Sequence, residues 1–299
     1  MRIIVLGGTG FLGRHAAEHL RALPGAQVLA AGRSASADVP VDLASAEVDA
    51  LAAALRRAAP DAVVNCAGAV GGSPVGLTGV NALGPAVLCE ALRAAAPRAR
   101  LVHLGSAAEY GPADRPLAET DAARPLGLYG AAKLAGTLAV TGSGLDAAVL
   151  RVFNPVGPGA PAASLPGRLA GLLRDAGRDG RIRVGDLSAH RDFVDARDVA
   201  DAVALAVTAP GPLPPVLNIG SGTARPVRAV ADGLIASAGF RGRIDEDGDG
   251  SPRSAAVPWQ QADTALAAKA LGWTPRRPLA TSLADLWAET RDRAGEHPR

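Results

Sequence analysis

The glycine run Gly7-Gly8-Thr9-Gly10-Phe11-Leu12-Gly13 stands directly behind the apolar tetrapeptide Ile3-Ile4-Val5-Leu6 and directly ahead of a helical pattern. Leu12, Ala16, Leu20 and Leu23 share one face of that helix, and Pro24-Gly25 stop it. Such a junction constrains the fold strongly. Gly7 permits the tight turn, Gly10 lets backbone N–H groups approach a pyrophosphate at a helix N-terminus, and Gly13 allows the helix to pack closely on its strand. A glycine trio alone is weak, but between a strand and a helix it has the context that dinucleotide binding requires. Gly7, Thr9, Gly10, Phe11, Leu12 and Gly13 are therefore candidate cofactor contacts.

The pattern continues as alternating strands and helices, the signature of βαβ units and a parallel sheet. Val28 to Ala31, Ala62 to Val64, Leu101 to Leu104 and Ala147 to Leu150 read as strands. Ser45 reads as the N-cap of a helix carrying Val48, Leu51 and Leu55, and a later helix holds Asn81 and Leu88. Beyond Arg151 the texture changes, with Pro155, Pro158, Pro161 and Pro166 among glycines. A helix over 199–207 and a strand over 216–219 return to the sheet. The predicted fold is α/β, a Rossmann-type doubly wound parallel sheet with a smaller interleaved C-terminal substrate-binding region. Residues 1–153 and 190–222 are assigned to the NAD(P)-binding domain, and 154–189 and 223–299 to the substrate-binding region. Residues 241–254, rich in Asp, Gly and Arg, read as a long loop, and Trp273 and Trp287 as packing residues.

With 299 residues, 48% of them hydrophobic and 20% charged, the chain can bury a substantial core without staples. No unbroken apolar stretch approaches the roughly 18 residues of a membrane span, and no signal-peptide hydrophobic region develops at the N-terminus. A cytoplasmic enzyme without a membrane partner is expected. The formal net charge of +2 gives no reason to expect nucleic acid. Cys66 and Cys89 have neither CxxC spacing nor a companion His/Asp cluster, so buried reduced thiols are expected and no metal site.

The end of the second strand discriminates between NAD and NADP, because an acid there bonds the ribose 2′-hydroxyl and an arginine accommodates a 2′-phosphate. This chain offers Gly32-Arg33-Ser34, which favours NADP through Arg33, with NAD as the alternative. Asp42 and Leu43 are candidate adenine contacts, although a turn aspartate explains Asp42 equally well. Ala67 and Gly68 are candidates to line the cofactor after the fourth apolar run.

Tyr129 and Lys133 carry the chemistry. The sequence contains two tyrosines and two lysines, and one of each falls at i, i+4, a spacing that chance supplies at about one in a hundred. On a helix the two share a face. A neighbouring ammonium favours the phenolate and so suits the tyrosine to general acid–base work.

Several segments together resemble the extended short-chain dehydrogenase/reductases, the NAD-dependent epimerase/dehydratase family of nucleotide-sugar enzymes. They are the glycine turn, Ser106 to Gly111, Tyr129 to Lys133, Phe153 to Gly159, His190 to Asp195, Asn218-Ile219-Gly220 and Leu271-Gly272-Trp273. The resemblance implies that Ser106 joins Tyr129 and Lys133 as the third catalytic residue, bonding the reacting sugar oxygen, while Lys133 also holds the nicotinamide ribose. It places Asn154, Arg191 and Arg253 at the substrate diphosphate, a role suited to guanidinium forks, with Arg183 a softer candidate. A homodimer through the Asn81 and Tyr129 helices is expected from the same source.

The family's sugar 4,6-dehydratases carry acids directly after the serine or threonine, where this chain has Ala107 and Ala108. Alanine moves no proton, so dehydration is disfavoured, with Glu109 only a weak substitute. Within the family the chain resembles the GDP-6-deoxy-4-keto-mannose reductases, although Arg253-Ser254-Ala255-Ala256-Val257-Pro258 departs from that group's pattern at three of six positions. The expected activity is NADPH-dependent reduction of a nucleotide-linked 4-keto-6-deoxyhexose. An NAD-retaining 4-epimerase is the alternative, and a non-catalytic NADP-sensing protein a third reading from another class.

Overall fold

The strands expected from apolar runs are buried on both faces, the condition under which parallel sheets form. A computed structural model describes residues 1–247 and 257–295. The first half contains β1 (Arg2–Leu6), α1 (Phe11–Arg21), β2 (Gln27–Gly32), β3 (Val39–Pro40), α2 (Val48–Ala58) and β4 (Ala62–Asn65). There follow α3 (Pro74–Thr78), a π turn at Gly79–Leu83, α4 (Gly84–Ala95), β5 (Arg100–Ser106), α5 (Leu128–Thr141) and β6 (Ala147–Val152). The second half contains β7 (Pro155–Val156), α6 (Leu165–Ala176), β8 (Arg181–Arg183), β9 (His190–Asp192), β10 (Val194–Asp195), α7 (Ala196–Thr208) and β11 (Val216–Ile219). It ends with β12 (Ala224–Pro226), α8 (Arg228–Ala238), β13 (Arg243–Asp245), β14 (Trp259–Gln260), α9 (Ala265–Leu271) and α10 (Leu279–Gly295).

Seven strands form one parallel sheet in the order β11-β6-β5-β4-β1-β2-β3. Leu20 of α1, Val203 of α7 and Ala267 of α9 fill one face; Leu55 of α2, Leu88 and Leu92 of α4 and Val140 of α5 fill the other. The order of succession reverses between β1 and β4, so a crevice opens at the C-terminal strand ends, where such sheets bind ligands. A separate core holds Leu169, Leu173, Phe193, Leu234, Phe240, Leu283 and Leu286, and this smaller body caps the crevice.

Two details depart from the sequence reading. Arg243–Asp245, inside the expected 241–254 loop, is a strand paired in parallel with β8, and both Arg181 and Arg243 bond the Asp245 carboxylate. Ser45 caps nothing: the helix begins at Val48 behind Glu47, and the Ser45 N–H is taken by the Asp42 carbonyl. Trp273 and Trp287 do pack, as expected, but in different bodies: Trp273 lies with α9 on the large sheet, its indole N–H donating to the Asp198 carbonyl at 2.9 Å, and Trp287 joins the smaller core.

The run Pro74–Ala95 is the one described helix long and apolar enough to cross a membrane, and half of its apolar window is buried inside the fold. Glycine, proline and asparagine interrupt its apolar residues, which hides it from a count of consecutive hydrophobes.

Candidate active site

At the β1–α1 junction Gly7 adopts φ +72°, and a Cβ there would meet the Ala67 backbone nitrogen at 2.8 Å. Gly13 is still more constrained, because its Cβ would lie 2.1 Å from the Gly7 carbonyl oxygen. Helix α1 starts at Gly10 without a side-chain cap or an acid in its first turn. Its leading N–H groups and partial positive charge are thus available to an anion, and the residues present fit a dinucleotide pyrophosphate.

The crevice is an open cavity of about 770 Å³. Gly10, Phe11, Leu12, Gly13, Ala67 and Gly68 line it together with Ser106, Tyr129 and Lys133 and with Asn154 and Arg191. The structure brings these candidates to one cavity. Arg33 and Asp42 are exposed, and Leu43 is buried beside Gly84; none of the three lines the cavity. Asp42 accepts the Ala44 N–H at 3.1 Å, as a turn aspartate does. Gly7 and Thr9 shape the turn without lining the cavity, and Arg253 lies outside the described residues.

Helix α5 reaches this position because two of its residues have no side chain. A Cβ on Gly130 would lie 2.3 Å from the Ala108 carbonyl oxygen, and one on Gly136 would lie 2.2 Å from that of Asn81. The helix therefore rests on the loop after β5 and on the π turn. Asn81 in turn fixes the loop after β4, donating to the Ala69 carbonyl at 2.8 Å and accepting the Ala69 N–H at 3.3 Å. π bulges often occur at such functional positions.

Ser106 ends β5. Its Oγ accepts the Ala108 N–H at 3.2 Å, which leaves the hydroxyl proton to be donated. Tyr129 is half-buried at the start of α5. One turn later Lys133 is 4% exposed and donates through Nζ to the Leu104 carbonyl. Burial pulls this ammonium down to about 8, opposed first by the Glu109 carboxylate. Cys89 is buried and Cys66 half-buried, both free, and burial raises the Cys66 thiol to about 12.

Glu109 is fully buried, absent from the cavity lining, and held by hydrogen bonds from Ser106, Thr137 and Arg151. It cannot stand in for a dehydratase acid. Tyr110 packs, with its hydroxyl donating to Asn218 Oδ1 at 2.8 Å and the Arg151 guanidinium 4.5 Å from its ring centre.

Asn154 donates to the Asp192 carbonyl at 2.9 Å. Arg191 is buried, bonds the neighbouring His190 carbonyl, and is lowered from the usual arginine range by desolvation. No carboxylate pairs with it among the described residues, as suits a guanidinium awaiting an anionic ligand. Sequence reasoning missed Arg168 and Gln260, which also line the cavity. Gln260 donates to the Ala107 carbonyl at 2.9 Å and thereby joins the C-terminal segment to the serine loop. Neither belongs to a motif, and a single arginine is inconspicuous in a chain so rich in them.

A model described as "NAD dependent epimerase/dehydratase family" matches residues 3–220. The chain belongs to that family. It is 40% identical, over 96% of its length and 94% of the relative's, to a dTDP-6-deoxy-L-talose 4-dehydrogenase (NAD(P)(+)) of Kitasatospora kifunensis. It is 28% identical, over 77% and 78% of the two chains, to the GDP-6-deoxy-D-mannose reductase of Pseudomonas aeruginosa. Among solved structures, MoeE5 in complex with UDP-glucose and NAD superposes with a TM-score of 0.83 at 28% identity, covering 98% of this chain and 100% of that one. RMD from Pseudomonas aeruginosa complexed with NADPH gives 0.84 at 25% identity, over 98% and 99%. The protein is thus an NAD(P)-dependent enzyme of nucleotide-sugar modification.

Proposed function

We propose that this enzyme interconverts a C4 ketone and a C4 hydroxyl on a dTDP-linked 6-deoxyhexose. The observation that carries the reading is that Ser106, Tyr129 and Lys133 line the same cavity as the glycine turn, in a chain 40% identical to a dTDP-6-deoxy-L-talose 4-dehydrogenase. Gly10, Phe11, Leu12, Gly13, Ala67 and Gly68 would hold the cofactor, with Gly7 and Thr9 shaping the turn behind them; the turn aspartate Asp42 and the buried Leu43 are not assigned to it. The nicotinamide, when bound, exchanges the hydride with C4. Tyr129 passes the proton to or from the C4 oxygen, and Ser106 donates a hydrogen bond to that oxygen. Lys133 holds the ribose and favours the phenolate. Asn154 and Arg191 bind the diphosphate, with Arg253 assigned to it by resemblance alone. Ala107 and Ala108 supply no further acid or base, which supports hydride exchange without loss of water.

The sequence reading preferred a GDP sugar; the dTDP-sugar relative supports dTDP instead. Initial rates with dTDP-, GDP- and UDP-linked 4-keto-6-deoxyhexoses test the choice. The dTDP compound should lead in kcat/KM by at least about tenfold, and an equal or better GDP substrate would refute it. A 4-epimerase would invert C4 with no net change in the cofactor.

For the cofactor, NADP is favoured by Arg33, exposed at the end of β2, while the nearby Asp38 carboxylate is occupied by the Ala30 N–H at 2.8 Å. Replacing Arg33 with alanine should lower the NADP/NAD ratio of kcat/KM by about 10- to 100-fold, the worth of a charge-assisted hydrogen bond. An unchanged ratio would show that Arg33 is only a solvated edge residue.

A homodimer is supported by apolar side chains left exposed along the α3–α4 run and α5, among them Val75, Leu83 and Leu138. Light scattering on the eluted protein should give twice the chain mass, and Leu138→Glu should give the monomer.

A further inference from the structure

We infer that Glu109 is a positioning residue for the catalytic trio: its buried carboxylate ties the Ser106 end of β5 to the helix bearing Tyr129 and Lys133, and supplies the counter-charge that keeps Lys133 an ammonium. The inference rests on the roles proposed above for those three residues.

The geometry comes from three elements. Oε1 of Glu109 accepts the backbone N–H of Ser106 at 2.7 Å, while the Ser106 hydroxyl accepts the Ala108 N–H. Oε2 accepts Arg151 Nε from β6 at 2.7 Å and the Thr137 hydroxyl from α5 at 2.9 Å. Thr137 follows Lys133 by four residues and Tyr129 by eight, so it lies on the same helical face. Space for the carboxylate is made by Gly105, whose Cβ would stand 2.8 Å from Oε1. One carboxylate thus fixes the serine's backbone and the helix carrying the other two residues.

The charges around Lys133 make Glu109 its main support. From β5, His103 is fully buried and held well below the ordinary imidazole range, so it is neutral. Cys66, after β4, is an un-ionised thiol near neutral pH. Tyr129 stands one turn before Lys133 on α5. Glu109 is the largest influence opposing the desolvation of Lys133. Its own facing groups are Arg151 and the Tyr110 ring stacked on it, with Glu119 acting on both. Arg151 satisfies the carboxylate without figuring among the influences on Lys133.

The chain's two lysines make a direct test possible. In protein labelled with carbon-13 at lysine Cε, a pH titration by NMR follows Lys133, assigned with Lys133→Arg and referenced to the Lys269 resonance. The wild-type midpoint should fall near pH 8. An ammonium exists below its pKa and is lost as pH rises through it, so Glu109→Gln should move the midpoint downward by about one pH unit. If Glu109→Gln does not fold because Arg151 is left buried and unpaired, Glu109→Gln/Arg151→Gln removes both charges and should show the same downward movement. A midpoint unmoved in the folded variant overturns the electrostatic part.

Glu109→Asp keeps the charge but shortens the reach to Ser106. It should hold the midpoint while lowering kcat about tenfold, and full kcat would overturn the positioning part. The titration uses no substrate, so its outcome is independent of the proposed function, whose failure would appear instead as undiminished turnover by Tyr129→Phe.

Discussion

Tyr129→Phe should lower kcat by about 10²- to 10⁴-fold, the range associated with loss of a general acid–base group, and leave cofactor affinity within about twofold. The reason is local. Phenylalanine keeps the ring at the start of α5 and removes only the hydroxyl that exchanges a proton with the sugar oxygen. The glycine turn, Lys133 and its bond to the Leu104 carbonyl are untouched. Stopped-flow single turnovers separate the chemical step from release, and fluorescence titration measures cofactor binding. Wild-type single-turnover rates in this variant would remove Tyr129 from the mechanism.

Gly13→Ala should act at the glycine turn and through the fold. The added Cβ would meet the Gly7 carbonyl oxygen at 2.1 Å, its carbon at 2.7 Å and Gly8 Cα at 3.0 Å. All three are backbone atoms of the turn itself, so no side chain can swing aside. Either α1 lifts from the sheet or the turn distorts, and both displace the N–H groups that would face the pyrophosphate. Overpacking of this kind costs about 1–3 kcal/mol and sometimes more, with a fall in Tm of about 2 °C per kcal/mol for a chain of this length. Cofactor Kd should rise by at least about tenfold. Gly8→Ala is the control, because its Cβ would find its nearest neighbour, a Val5 side-chain atom, at ordinary contact distance, 3.6 Å.

The large sheet was legible because its strands are near-continuous apolar runs and its helices carry a regular face. The glycine junction and the Tyr129–Lys133 spacing were legible because each is local. Glu109 was not: its meaning depends on Arg151 from β6 and Thr137 from α5, partners 42 and 28 residues away. β13 escaped for a related reason. Arg243-Ile244-Asp245 has the composition of a loop, and it becomes a strand by pairing with β8 over an interval of more than sixty residues. Asn81 read as an ordinary helical residue until the π turn aimed its amide at Ala69. Gln260 and Arg168 carry no local pattern, and only tertiary contact brings them to the cavity.

One assay decides whether this cavity exchanges hydride with a sugar carbon. The purified enzyme is mixed with NADPH and a dTDP-linked 4-keto-6-deoxyhexose, and absorbance at the reduced-nicotinamide band is followed alongside the sugar product. One equivalent of NADPH should disappear for each C4 hydroxyl formed, about 10²- to 10⁴-fold more slowly in Tyr129→Phe than in wild type. A protein that binds both ligands yet leaves the absorbance and the C4 ketone unchanged would contradict the proposed reaction.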